Sequence, residues 1–211
     1  MQYISNILYW ISTGLLVPVI VLLIYFFLRA LVLVGTFFGQ YLELRRTEKF
    51  LQNEFKTLSV NNMAAFAERM PKKNKTLVMV FLHRVWESRH SAAMVEKNLG
   101  DFEIAADKDL AISKTLTKMG PMLGLMGTLI PMGPALVGLA SGDIASMAYN
   151  MQVAFATTVV GLFSSAIGFA TLQIKQRWYM QDLNNLEYFA ELLKQNSESH
   201  ETETTAAEER R

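Results

Sequence analysis

TKMGPMLGLMGTLIPMGPAL, residues 117–136, has no charge after Lys118, yet it contains four glycines and three prolines where a stable helix would use leucine and alanine. Glycine weakens a helix by about 1 kcal/mol relative to alanine and proline by about 3 kcal/mol, so an apolar segment of this composition needs a reason to be a helix at all. In lipid, where no hydrophobic effect drives helices together, small residues provide that reason by letting backbones approach closely.

The rest of the chain supports a membrane setting. It has 211 residues, of which 51% are hydrophobic and 18% charged, and its mean hydropathy is +0.21. The apolar residues are segregated: residues 1–28, 119–142 and 144–174 carry no charge, whereas 43–118 is dense in Lys, Arg, Glu and Asp. About 20 apolar residues cross the hydrocarbon layer, so the sequence predicts an all-α integral membrane protein with three transmembrane helices and long cytoplasmic helical extensions. Three buried helices of a soluble domain are the weaker reading, because such helices rarely go so far without a charge on their exposed face. A cleaved signal peptide is also a poor reading, since no basic residue precedes the first apolar run and the run is too long for a signal h-region.

Basic residues set the orientation. None precedes Arg29, fourteen lie from Arg45 to Lys118, none lies between the second and third runs, and five lie from Lys175 onward. By the positive-inside bias the N-terminus is expected outside and the C-terminus in the cytoplasm. The expected organisation is an external segment and first span in 1–42, a cytoplasmic helical block in 43–118 and a second span in 119–142. A short external loop in 143–150, a third span in 151–174, a cytoplasmic helix in 175–195 and a disordered tail in 196–211 follow. Tyr3, Tyr9, Trp10, Trp178 and Tyr179 suit interfacial belts. Arg29 is expected to snorkel from the end of the first span.

The charged block reads as helices, with Leu51, Phe55 and Leu58 at helical spacing, a turn-like stretch at 71–75, and Leu77, Phe81, Val85 and Trp86 resuming the pattern. Leu183, Leu186, Ala190 and Leu193 form a further stripe. The block's excess of basic residues follows from topology and needs no nucleic acid. No cofactor, metal site or catalytic set is expected: the three histidines, His83, His90 and His200, have no cysteine partners, and no carboxylate lies within a span. His83 and His90 are seven apart and could share a helix face.

From the opening stretch onward, Gly120, Gly124, Gly127, Pro131, Pro134 and Gly138 recur at alternating spacings of four and three, which places them along one side of a helix. Ala154, Thr158, Gly161, Ser165 and Gly168 do the same in the third run. Such stripes are read as helix interfaces, with ordinary packing inside one chain as the weaker reading and the placement of hydroxyls favouring a functional one. The hydroxyls of Thr128, Thr157, Thr158, Ser164 and Ser165 beside them either bond their own helix carbonyls or line a narrow polar path.

GPMLGLMGT, residues 120–128, resembles the Ala-Pro-x-x-Gly-Leu-x-Gly-Thr signature of the MotA/TolQ/ExbB proton channel family, and ATTVVGL, residues 156–162, is similar to its Ala-Thr-Ala-x-Gly-Leu signature. Three spans, an external N-terminus and a helical block after span one resemble the ExbB and TolQ branch. The resemblance implies a homopentamer around single-span partners of the ExbD or TolR kind, each supplying an intramembrane Asp, with a TonB-like energy transducer further along. It implies a bacterial inner-membrane stator that uses the proton motive force to energise outer-membrane transport or envelope processes. Thr128 and Thr158 match the family's two threonines facing that carboxylate; Thr157, without a counterpart, and Ser165 complete the expected ion pathway. Helix packing and pore lining are expected of Gly120, Pro121, Gly124, Gly127, Pro131, Pro134, Gly138, Ala154, Gly161 and Gly168.

The chain departs from the signature at Pro131, where family members often have Gly. Proline there removes a donor and clashes with the Gly127 carbonyl, so a kink or an open carbonyl beside Thr128 is expected. A chain with no acid in its spans cannot hold a proton at mid-membrane, so the titrating group is expected from the partner. A non-conducting membrane scaffold and a sodium-driven version of the motor are the alternatives.

Overall fold

The structure is a computed structural model describing residues 2–59, 62–71 and 76–208, with side chains described for these except at 2, 5, 6, 8 and 197–208. Among the described residues six helices follow in order: α1 Gln2–Gly14, α2 Leu16–Phe55, α3 Met63–Arg69, α4 Leu77–Glu87, α5 Ala92–Ser141 and α6 Ile144–Glu208. Three of the helical segments are long and apolar enough to cross a membrane. The break at Leu15 has a local cause: Pro18 lacks an N–H for the Gly14 carbonyl and its ring crowds it. Around it the helical bonds continue, with the Leu15 N–H on the carbonyls of Ile11 and Ser12 and the Val19 N–H on that of Leu15, each at 3.1 Å.

The chain divides into two units, and each of α2, α5 and α6 contributes to both. The membrane unit comprises the chain up to Phe37 and Ala111–Ile174. Its buried apolar side chains are few: Val19 and Leu23 meet Leu123 and Ile130 in one cluster, and Ala30 and Leu33 meet Leu116 in another. Large apolar residues such as Ile24, Leu125, Leu129, Phe155, Val159 and Leu162 point outward, the pattern of a surface solvated by acyl chains. Arg29 is exposed on α2, as snorkelling requires.

The charged unit comprises Phe38–Leu110 and the chain from Lys175. Here the stripes read from the sequence converge on one core, with Leu51, Phe66, Met79, Leu82, Val85, Phe102, Leu186 and Phe189 among its buried members. Phe66 is stacked or tilted against Phe50, Phe55 and Phe189 at ring-centroid distances of 5.6–6.5 Å. Such rings exclude water from a large apolar area, which is the ordinary driving force of an aqueous core. Arg69 pairs with Glu54 at 3.1 Å on the rim.

Four sequence expectations change in detail. The external loop expected at 143–150 is helical from Ile144 onward; the turn itself is Gly142 and Asp143. Gly142 has φ +77, a left-handed conformation suited to glycine. Its N–H bonds Leu139 O at 3.2 Å and the Asp143 N–H bonds Gly138 O at 2.8 Å, which closes the end of α5. Asp143 then caps α6 by accepting the Ser146 N–H at 3.0 Å. Tyr179 is not a belt residue, because its hydroxyl turns inward to Asp109. His83 lies in α4 and His90 in the turn beyond it, so they do not share a helix. Helix α6 continues through Glu208, in place of the disordered tail expected from 196; residues 209–211, Lys72–Lys75 and the side chain of His200 lie outside the described residues.

Candidate functional site

Within the membrane unit, the glycine stripes of α5 and α6 face each other in an antiparallel hairpin. A Cβ at Gly120 would stand 2.7 Å from the Gly161 carbonyl oxygen, and one at Gly161 would stand 2.9 Å from the Gly124 Cα. A Cβ at Gly127 would meet the Thr157 side chain at 2.5 Å, and one at Gly168 would meet the Leu116 Cβ at 2.7 Å. Gly138 is closed by the Asp143 carbonyl and by Met147, at 3.1 and 3.2 Å. Gly120, Gly124, Gly127, Pro131, Gly138, Ala154, Gly161 and Gly168 are all buried and Pro134 is partly so, whereas Pro121 is exposed. These glycine positions are thus closed by the same chain, by the facing helix and, at Gly138, also by the turn.

The prolines lie inside α5 without ending it. Pro121 cannot donate to the Thr117 carbonyl four residues back. That carbonyl accepts a hydrogen bond from the Ser165 hydroxyl of α6 at 3.0 Å. Proline and serine together convert a missing bond within a helix into a bond between helices, the kind of repair that lets proline persist in membrane helices. Further along, the Ser113 and Thr171 hydroxyls, which sequence reading passed over, meet in the buried seam at 3.2 Å. Their distance of 58 positions in sequence left no local signal to find them.

The expected pathway residues separate into two groups. Thr157 is only 7% exposed, and its hydroxyl donates to the carbonyls of Val153 and Ala154. Its side chain fills the notch at Gly127, so this position is a packing contact. Thr128 and Thr158 are half-buried at the seam's edge, donating to Leu125 O at 2.7 Å and Ala154 O at 3.0 Å. A hydroxyl that donates to its own helix keeps its oxygen lone pairs available to an outside donor, such as water or a protonated acid. The hairpin itself offers hydroxyls and no ionisable group between 119 and 142 or between 151 and 174.

A second polar cluster lies within the charged unit. Lys175, only 2% exposed, donates to Asp109 Oδ2 at 2.8 Å, and the Tyr179 hydroxyl donates to the same oxygen at 2.7 Å. Burial alone would push the Asp109 carboxyl up, but the bonds from Lys175, Tyr179 and Gln40 outweigh it and hold the group below its usual value. Burial, then the Asp109 carboxylate, pushes the Tyr179 phenol up. Sequence reading missed this cluster because its members are up to 70 positions apart.

No curated protein matches the chain significantly. The sequence model of the MotA/TolQ/ExbB proton channel family matches residues 48–188, which include most of the charged unit's core, both glycine stripes and the two edge threonines. The chain is a multi-pass membrane protein that belongs to the MotA/TolQ/ExbB proton channel family.

Proposed function

We propose that this chain is the ring-forming stator subunit of a proton-motive-force-driven motor of the ExbB/TolQ-like branch, located in a bacterial inner membrane with its N-terminus outside. Family membership supports a proton-channel, stator-like role. The finer reading rests chiefly on the placement of Thr128 and Thr158, two half-buried hydroxyls at the edge of a hairpin that carries no acid of its own. A single-span partner of the ExbD or TolR kind, supplying an intramembrane Asp, completes the site. Desolvation raises the pKa of such an acid, and hydroxyls beside it hold the water through which the proton moves. The glycine seam has a separate role, locking α5 to α6 so that each subunit presents one rigid wall. Five copies around the partner, with a TonB-like transducer passing the motion outward to transport or envelope processes, complete the assembly.

The test is reconstitution. Vesicles holding this chain together with its single-span partner acidify on energisation, and vesicles holding either chain alone do not. Thr158→Ala and Thr128→Val, made singly in complexes that still assemble, slow that flux. Unchanged partner-dependent transport in both variants would end the proposal. One observation favours a second reading, a non-conducting scaffold: every hydroxyl of the expected pathway already has a carbonyl partner in this chain. A scaffold assembles with its partner and passes no ion. Replacing the proton gradient by a sodium gradient in the same vesicles identifies the ion.

A further inference from the structure

Asp182 lies on α6 where that helix packs against α2 within the charged unit. It is 9% exposed, and its Oδ2 atom is buried with no hydrogen-bond partner among the described residues. It borders two cavities. One, narrow, is shared with Glu48 of α2 and Asn185 of α6. The other, of about 250 Å3, is shared with Gln40 and Glu43 of α2, Asp109 of α5 and Tyr179 of α6. Thr76 and Leu77 bring no charge to it.

Among the described residues, the acids sharing these cavities disfavour an anion at this position, Glu48 foremost. Glu43 and Glu48 approach from α2 and Asp109 from α5, while the buried cation of the cluster, Lys175, is engaged by Asp109. Arg45 and Lys49 line an outer groove with Glu48 and border neither cavity. A buried carboxylate oxygen with no donor is strongly disfavoured as an ion and tolerable as a neutral acid. The Lys175–Asp109–Tyr179 cluster shows the contrast: there an acid of the same unit receives two donors and is held ionised.

We infer that Asp182 is a proton-binding site of this chain, neutral in the packed charged unit, whose ionisation loosens α6 from α2 and so makes that unit responsive to pH. The site is independent of the proposed intramembrane carboxylate, because it lies on this chain and outside the spans. Burial first, and the Glu48 charge second, push the Asp182 carboxyl up to about 7. A raised carboxyl keeps a proton that the unfolded chain releases above about pH 4. The folded unit therefore loses stability as pH rises from about 4, until the folded group has itself ionised above about 7.

The test uses the full chain purified from membranes with whatever assembles with it. Difference infrared spectroscopy of wild type against Asp182→Asn reads the carbonyl band of one un-ionised acid. The band is expected at pH 6, to fall by half near pH 7 and to be gone by pH 9, and to be missing from the variant throughout. Glu48→Gln shifts the midpoint to lower pH, an effect that a merely structural residue does not produce. At pH 9 the amides of 183–193 exchange severalfold faster in wild type than in Asp182→Asn, and at pH 6 the two exchange alike. A wild-type chain lacking the band at pH 6, a midpoint unmoved by Glu48→Gln, or equal exchange at pH 9 overturns the inference. Should Asp182→Asn fail to assemble, wild type and Glu48→Gln still decide it through the band and its midpoint.

Discussion

Phe66 is wholly buried in the charged unit, ringed by Phe50, Phe55 and Phe189, while in the membrane unit Gly120, Gly124 and Gly161 let two helix backbones meet without room for a side chain at Gly120 or Gly161. Both arrangements hold helices together, and they do so in opposite ways. Removing aromatic area from water stabilises a helix packet only where water is the alternative. In lipid the alternative neighbour is another hydrocarbon, so attraction comes from close backbone approach and from polar groups that need partners. One polypeptide, with helices continuous between the two units, follows both rules within single helices.

The sharpest break between them is expected at Phe66. Phe66→Ala should destabilise the charged unit by about 3–5 kcal/mol, the range for truncating a buried aromatic. Hydrogen exchange should show the loss at 63–70 and 186–193, leaving protection at 120–128 and 158–168 as in wild type. Equal loss in both places would mean that the two units unfold as one and that the contrast has no energetic meaning.

Lys175→Met comes next. Asp109 would retain Tyr179 and Gln40 but lose its buried cation. Breaking a fully buried pair costs about 3–5 kcal/mol, and because Asp109 is about a third exposed a discounted loss of about 1–3 kcal/mol is expected. The sign with pH is definite. A carboxyl held below its usual value stabilises the fold above the unfolded group's pKa of about 4, and that contribution disappears as pH falls through the lower folded value. Thermal melts of wild type and Lys175→Met should therefore differ at pH 7 and converge under strong acid. A gap that persists there would show that the lysine acts through its apolar stem rather than its charge.

For the membrane unit the corresponding break is a single methyl group. Gly161→Ala puts a Cβ 2.7 Å from the Gly120 carbonyl oxygen and 2.9 Å from the Gly124 Cα, both backbone atoms that cannot swing away. Overpacking of this kind costs about 1–3 kcal/mol. Gly35→Ala is the control, since nothing lies within 4 Å of its Cβ, and there alanine should be neutral or stabilising by up to about 1 kcal/mol. Unfolding in mixed detergent separates the two. Equal effects would show that the glycines are kept for something other than the seam.

The glycines also mark how far the sequence could be read. Their alternating spacing of four and three identified a helix face, and the uncharged runs identified which helices cross a membrane, because both signals are local periodicities. Which neighbour the face meets is not periodic information. The same stripe on Gly120, Gly124 and Gly127 serves a contact within the chain or between chains, and its closure against Gly161 and Thr157 became visible only in three dimensions. Trp178 and Tyr179 illustrate the same limit. Both look like an interfacial pair, yet adjacent helix positions point about 100° apart, and Tyr179 turns to Asp109 while Trp178 meets Tyr41. Asp182 carried no motif at all, since its character comes from burial, from Glu48 and from an Oδ2 atom with no donor among the described residues.

The smallest effect tests why the membrane unit accepts proline. If Ser165 is present to serve the carbonyl that Pro121 leaves open, Ser165→Ala strands the Thr117 oxygen in the seam. The expected loss is about 0.5–1.5 kcal/mol, since hydrogen bonds between membrane helices average about 0.6 kcal/mol and an unsatisfied acceptor adds to that. In a Pro121→Ala background the new backbone N–H reaches Thr117 within α5, and the same serine substitution should then cost almost nothing. The coupling between the two positions, read from a double-mutant cycle, measures the cross-helix bond itself. Additive losses would mean that Ser165 acts by size alone, like the glycines beside it. A coupling near the full single-mutant loss would mean that the seam is held by one polar bond as well as by close approach, which an aqueous core built on Phe66 has no need of.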